Sequence, residues 1–229
     1  ATKIVGLMMK DVQNADHYDE LEGVVVPSEG YFLDTGTRHY VRFVEDVDQY
    51  DIVTEGRDIR YNAQELQPVG ANVNFVEPCE GYLKVRTYEK GVEDETFACG
   101  TGIVASALAA YTRGVLPKSI SANGRIFYDI RARRDHLMVD FLPSEQGVAQ
   151  QIFLEFGGQQ TLHGLFHILD SLIDDAVEAD IHFFLFRGFP GGGVGADIEA
   201  DDDGVEGGGQ VHVVLGDGAH GGVEDTDLH

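Results

Sequence analysis

Cysteine is scarce in this sequence, and so are long apolar runs. Two cysteines among 229 residues cannot build the disulfide framework of a small secreted domain, so a reducing compartment is predicted and the cytoplasm is the default location. No stretch reaches the roughly 18 consecutive apolar residues that a membrane span requires. The N-terminus lacks the pattern of a signal peptide and has no initiator methionine, so we expect the chain to begin within a longer protein.

Basic residues are also few, and they are unevenly distributed. The chain has 16 Lys and Arg against 40 Asp and Glu, which excludes a nucleic-acid surface because such a surface needs clustered cations. Residues 1–155 hold 15 of the 16 basic residues, whereas residues 156–229 hold only Arg187 and 16 of the 29 glycines. We therefore predict a folded domain at 1–155 and an acidic tail rich in Gly, Asp and His at 156–229.

Periodicity in the first part predicts strands and one conspicuous helix. Alternation, apolar runs and turn residues place strands at 4–9, 31–34, 39–44, 72–76, 82–88, 125–130 and 137–142. Gly102–Arg113 is apolar on nearly every side, which is typical of a buried helix, with Thr101 as its expected N-cap and Gly114 as its C-cap. The predicted fold class is α+β, with antiparallel β-structure curled around this central buried helix.

A thiol stands just before that helix, in Ala98-Cys99-Gly100-Thr101-Gly102. The first turn of a helix presents unpaired N–H groups and a partial positive charge, which lower the pKa of a thiol and favour bound anions. A buried, inert cysteine is the alternative, and spacing alone leaves both open. Cys79, in a turn between strands beside two acidic residues, is interpreted as incidental.

Three motifs carry a family resemblance. Arg86–Gly102 reads R-T-Y-E-K-G-V-E-D-E-T-F-A-C-G-T-G, Gly70–Glu77 reads G-A-N-V-N-F-V-E, and Leu33–Val41 reads L-D-T-G-T-R-H-Y-V. In their order along the chain, from Leu33 to Gly102, they resemble the signature segments of diaminopimelate epimerases. The resemblance covers about residues 1–155 and is to the C-terminal one of that family's two similar domains, each of which is a β-structure around a central helix.

The resemblance implies a mechanism without metal or cofactor. The family interconverts L,L- and meso-diaminopimelate with two cysteines on opposite faces of the substrate α-carbon, one acting as base and the other as acid. It implies that Cys99 is one of these cysteines and that His39 and Glu89 accompany it. Its implied substrate-binding residues are Asn72, Lys90 and the backbone amides of Gly100 and Thr101.

The sequence departs from the family pattern in several places. Lys90 stands where arginine is usual, Thr37 where a substrate-binding asparagine is common, and Arg38 where proline is usual. The N-terminal domain, with the second cysteine, has no counterpart in this sequence. We therefore predict a half-enzyme that is inactive alone, whose partners would be diaminopimelate, the missing N-terminal domain and, as is common in the family, a second copy in a homodimer.

Alternative interpretations remain open for the tail and for the function of the predicted fold. Glu199, Asp201 and Asp203 have EF-hand-like offsets, but Gln210 occupies the position of the bidentate glutamate, so a disordered or out-of-frame tail is predicted. The same fold could instead belong to a racemase or isomerase related to proline racemase or to a phenazine-pathway enzyme. A non-catalytic acidic module that binds cations is the alternative outside enzymes.

Overall fold

The computed structural model describes residues 4–157, so nearly all of the predicted tail, including its calcium-like segment, lies outside the described residues. The described residues form eleven strands and two α-helices, and this agrees with the predicted α+β class. The strands are β1 (Ile4–Met9), β2 (Asp16–Tyr18), β3 (Gly30–Asp34), β4 (Arg38–Phe43), β5 (Asn72–Cys79), β6 (Tyr82–Glu89), β7 (Asp94–Thr96), β8 (Ser119–Ile120), β9 (Ile126–Arg131), β10 (His136–Pro143) and β11 (Ala149–Gly157). The helices are α1 (Ile52–Asn62) and α2 (Gly100–Arg113).

All eleven described strands belong to one sheet, and the sheet is mixed. Its order is β1-β11-β10-β9-β6-β5-β4-β3-β2, with β7 beside β6 and β8 beside β9. Two neighbouring pairs, β4 with β5 and β6 with β9, are parallel, which corrects the prediction of purely antiparallel structure. Parallel neighbours need a crossover connection, and each connection here contains one of the two helices.

Alternation along the central strands sends neighbouring side chains to two different cores. Val73 and Phe75 of β5 join the cluster that contains Ile52 and Ile59 of α1, whereas Val76 joins the cluster built around α2. Successive residues of a strand point to opposite faces of its sheet. The central strands therefore separate α1 from α2, and the even-numbered residues of β5 face α2.

Helix α2 lies where the sequence predicts a helix, but it begins earlier than expected. Residues Gly100 to Ala110 are all buried. Cys99, not Thr101, is the N-cap, since its backbone is extended (φ −120°, ψ 114°) and its carbonyl accepts a hydrogen bond from Ile103 N at 2.8 Å. Gly114 closes the helix in the left-handed conformation (φ 83°), as predicted. Neither helix described between residues 4 and 157 has the length and apolar character needed to cross a membrane.

Helix α1 was not predicted. The Asp51 side chain caps it by accepting from Thr54 N at 3.1 Å, and Ile52, Gly56 and Ile59 are its buried residues. The spacing of these three positions is helical, but an interior glycine disfavours a helix by about 1 kcal/mol relative to alanine. Packing explains the glycine, because a β-carbon at Gly56 would overlap Tyr88 Cβ and lie 2.7 Å from Tyr88 Cγ.

We expect Gly56→Ala to lower the free energy of unfolding by about 1–3 kcal/mol, because overpacking against fully buried Tyr88 outweighs the better helix propensity of alanine. Urea unfolding followed by circular dichroism measures this change. Val53→Ala, on the exposed side of the same helix, is the matched control and should change stability by no more than about 0.5 kcal/mol. An equal or greater stability of Gly56→Ala would contradict the close packing of α1 on β6.

Candidate active site

Three adjacent strands bring a set of polar side chains together beneath α2. In the parallel pair of β4 and β5, His39 lies opposite Asn72, and in the antiparallel pair of β5 and β6, Asn74 lies opposite Thr87. All four side chains are at most 3% exposed. Because a buried polar group is stable only when it is hydrogen-bonded, the arrangement of these groups is tightly determined.

The start of α2 covers these side chains and supplies the thiol. Cys99 is fully buried, and its Sγ lies 3.4 Å from Thr101 Oγ1. The backbone amides of Gly100, Thr101 and Gly102 belong to the first turn, so they have no acceptor within the helix. The thiol and these first-turn amides therefore share one end of one helix, and anion binding by the amides stays a prediction.

His39 is the centre of the hydrogen-bonded cluster. Its Nε2 lies 2.8 Å from Thr37 Oγ1 and 2.9 Å from Thr101 Oγ1, and its Nδ1 lies 2.9 Å from Asn74 Nδ2. Burial lowers the pKa of His39 from 6.5 to about 3, and the negative charge of Asp34 opposes this only in part. The imidazole is therefore neutral at physiological pH and takes part in hydrogen bonding as both donor and acceptor.

The turn between β3 and β4 is tied to the first turn of α2. Thr35 Oγ1 donates to the carbonyl oxygen of Thr101 at 3.0 Å, and Thr37 Oγ1 lies 3.0 Å from Thr101 Oγ1. Gly36 adopts φ 112°, a value that favours glycine. Thr37, at the position where asparagine is common in the family, thus links His39 to α2 through its hydroxyl.

The Asn72 side chain is hydrogen-bonded to the backbone of Lys90. Lys90 N donates to Asn72 Oδ1 at 2.7 Å, while Asn72 Nδ2 donates to Thr37 Oγ1 at 3.4 Å. Lys90 itself is exposed. Glu89, which precedes it, is only 7% exposed at the end of β6. The structure therefore brings Asn72 into the cluster and places Glu89 and Lys90 at the adjoining end of β6.

Gly102 permits the close approach of α2 to the strands. A β-carbon at this position would overlap Asn74 Oδ1 and lie 3.2 Å from His39 Cε1. The glycine in the motif is thus required by packing, in addition to any approach of a ligand to its amide.

Sequence reasoning found part of this cluster. His39, Asn72, Cys99 and Thr101 are joined by hydrogen bonds, directly or through Thr37. Asn74 and Thr87 were not predicted as site residues, although the polar Asn-Val-Asn alternation before an apolar run was a usable signal. The catalytic and binding roles of all these residues remain predictions. Among residues 4–157, no group of three or more His, Cys, Asp or Glu side chains is arranged to hold a metal ion.

Fold and site together define an α+β protein with a buried thiol at the start of a helix, beside a neutral histidine. In a comparison with known proteins, the model of the diaminopimelate epimerase family matches residues 31–125. That span includes His39, Asn72, Glu89 and Cys99. The resemblance predicted from three motifs is therefore confirmed for this part of the chain.

Individual relatives agree with the family match. The diaminopimelate epimerase of Aquifex aeolicus (strain VF5) is 51% identical over 90 residues, which are 39% of this chain and 32% of the relative. The diaminopimelate epimerase of Chlorobaculum tepidum is 50% identical over 91 residues, 39% of this chain and 35% of the relative. That of Flavobacterium psychrophilum is 38% identical over 112 residues, 48% and 40% respectively. The chain thus spans about a third of the length of the first two relatives.

The lowered pKa of His39 predicts a specific loss of stability in acid. Since the folded-state value of about 3 lies below the ordinary 6.5, the unfolded chain takes up a proton below pH 6.5 that the folded chain does not. Stability should therefore fall as the pH decreases from 6.5 towards 3, by about 2 kcal/mol between pH 7 and pH 5 from this group alone.

Urea unfolding of the parent and of His39→Gln at several pH values measures this difference. Glutamine is polar but does not titrate, so the variant should lack this part of the pH dependence while the acidic residues act equally in both proteins. Parallel pH profiles for the two proteins would contradict a neutral, buried His39.

Proposed function

We propose that residues 1–155 form the cysteine-bearing half of a cofactor-independent epimerase that interconverts L,L- and meso-diaminopimelate. The observation that carries this proposal is the position of Cys99: it is buried at the N-cap of α2, next to the Thr101 hydroxyl, within the segment that matches the family. A cysteine at a helix start is favoured as a thiolate, and a thiolate is the base that such a reaction requires.

In the proposed reaction the α-carboxylate of the substrate binds the first-turn amides of α2. The amides of Gly100 and Thr101 and the positive end of the helix would stabilise the negative charge that develops on this carboxylate when the α-proton leaves. Cys99 would remove or deliver the proton on one face of the α-carbon. A second cysteine, from the N-terminal domain, would act on the other face.

The remaining site residues have supporting roles in this proposal. Asn72 binds substrate. This role is supported by its buried side-chain amide, whose oxygen accepts a hydrogen bond from the backbone N–H of Lys90. His39 and Glu89 accompany the thiol, and both are buried. Lys90 offers a point charge to the distal carboxylate where an arginine would make a bidentate contact.

The proposal extends to the fold and the assembly. We infer that the sheet curls around α2 as a central helix. The reason is that α2 contacts strands near both edges of the sheet, from β3 close to one edge to β11 close to the other. A cytoplasmic location, a homodimer and a domain boundary near residue 155 remain predictions from the sequence and the resemblance.

We expect this chain alone not to epimerise diaminopimelate, because in the proposed reaction the second thiol belongs to the N-terminal domain. Incubation of the substrate with the chain in D₂O, followed by mass spectrometry, measures deuterium incorporation. Exchange by the parent chain that disappears in Cys99→Ser would prove this expectation wrong.

A chimera tests the positive part of the proposal. Residues 31–125 of this chain would replace the matching segment of the Aquifex aeolicus enzyme, which supplies the rest of the protein. We expect the chimera to epimerise diaminopimelate and Cys99→Ala to lower its kcat by about 100-fold or more, because a positioned acid–base group contributes at least that much.

Cys79→Ser in the same chimera is the matched control, since Cys79 lies at the end of β5 with its Sγ near Glu77 and has no proposed role. It should retain the activity of the chimera. A folded chimera without activity, or one whose activity survives Cys99→Ala, would refute the assignment of Cys99.

A further inference from the structure

A continuous series of hydrogen bonds runs from β6 through β5 and β4 to the thiol. Its members are Thr87, Asn74, His39, Thr101 and Cys99, and each is at most 2% exposed. The successive separations are 2.9 Å, 2.9 Å, 2.9 Å and 3.4 Å. Because no member is open to solvent, the direction of each bond is set by its neighbours.

The first two bonds determine the tautomer of His39. Thr87 Oγ1 donates to Asn74 Oδ1, so the Asn74 Nδ2 group is directed at His39 and donates to Nδ1. A ring nitrogen that accepts a hydrogen bond carries no hydrogen in a neutral imidazole. The hydrogen of the neutral His39 ring is therefore on Nε2.

The Nε2–H group faces the hydroxyls of Thr37 and Thr101, and the environment of Thr37 decides how these are oriented. Asn72 is fixed because its Oδ1 accepts from Lys90 N, which leaves its Nδ2 as a donor to Thr37 Oγ1. His39 Nε2 is a donor as well. Among the described residues, Thr101 Oγ1, at 3.0 Å, is then the acceptor available to the hydroxyl hydrogen of Thr37.

Thr101 thus accepts from both His39 and Thr37, and its own hydrogen must point elsewhere. The remaining polar side-chain atom in the described part of the chain within reach of Thr101 Oγ1 is Cys99 Sγ. A hydroxyl that donates to sulfur stabilises the thiolate relative to the thiol. Donors that all point the same way also polarise and strengthen one another.

We propose that Thr101 is a positioning residue for Cys99. Its hydroxyl donates to the sulfur and is the last donor of a one-directional hydrogen-bond chain, Thr87→Asn74→His39→Thr101→Cys99. This deepens the proposed function, on which its catalytic meaning rests, since the chain would hold Cys99 ready as a base. The proposed bonds require no net proton transfer, because each member keeps its own hydrogen.

The ionisation of Cys99 tests the proposal without substrate. In a Cys79→Ser background, thiolate absorbance at 240 nm is followed against pH, and the Cys79→Ser/Cys99→Ser protein provides the baseline. We expect Thr101→Val to reduce the thiolate-to-thiol ratio about tenfold or more at a given pH, the size of one lost hydrogen bond to a charged group. Thr101→Ser keeps the hydroxyl and should restore the parent titration.

The charged neighbours stay the same in these variants. Asp34 at the end of β3, His39 on β4 and Glu89 at the end of β6 lie on strands that pack against α2. None of them, and no other charged residue of these strands, is altered. Thr112→Val is the control for a threonine lost from the same helix, since its hydroxyl donates to Leu108 O within α2. It should titrate as the parent does. A folded Thr101→Val protein with the parent titration would overturn the proposal.

A second measurement needs no substitution at Thr101. Long-range ¹H–¹⁵N spectra of the Cys79→Ser protein report the tautomer of His39, and we expect the hydrogen on Nε2. A hydrogen on Nδ1 would overturn the proposal, because the hydroxyls would then donate towards His39 and away from the sulfur. Either failure would leave the proposed epimerase function intact, whereas an inactive chimera would leave this hydrogen-bond chain intact.

Discussion

The burial of α2 against the central strands is the constraint on which the rest of the described structure depends. Eleven consecutive residues of this helix are buried, from Gly100 to Ala110, and small side chains allow it to lie close to β4 and β5. At Gly102 there is no room for a β-carbon because Asn74 and His39 occupy the space. This close approach carries the helix start, with its thiol and unpaired amides, directly onto the polar residues of the strands.

The polar cluster exists because of the way the strands are paired. His39 and Asn72 are 33 residues apart in the sequence yet lie opposite each other in the parallel pair of β4 and β5. Because side chains alternate between the two faces of β5, Val73 and Phe75 pack in the core of α1, whereas Asn72 and Asn74 face α2. Polar groups so deeply buried would be destabilising without partners, and the hydrogen bonds among them offset that cost while holding His39 in one orientation.

The two helices differ in how well the local sequence predicts them. The apolar circumference of α2 and the glycine that ends it are local features, so its existence and its C-terminus were predictable. Its first residue was not, because the choice between Cys99 and Thr101 as N-cap depends on how Thr35 and Thr37 hold Thr101 from another part of the chain. Helix α1 escaped prediction because its interior glycine disfavours a helix locally and is explained only by its contact with Tyr88.

Local sequence patterns were enough to predict the α+β class, most strand positions, the left-handed end of α2 and the association of Cys99 with a helix start. These depend on periodicity and on residues close together in the chain. The parallel strand pairs, the protonation state of His39 and the places of Thr37, Asn74 and Thr87 around it became known from the three-dimensional fold. Those properties arise from burial and from contacts between distant segments, and the pKa of a buried histidine depends on what surrounds it far more than on which residues precede it.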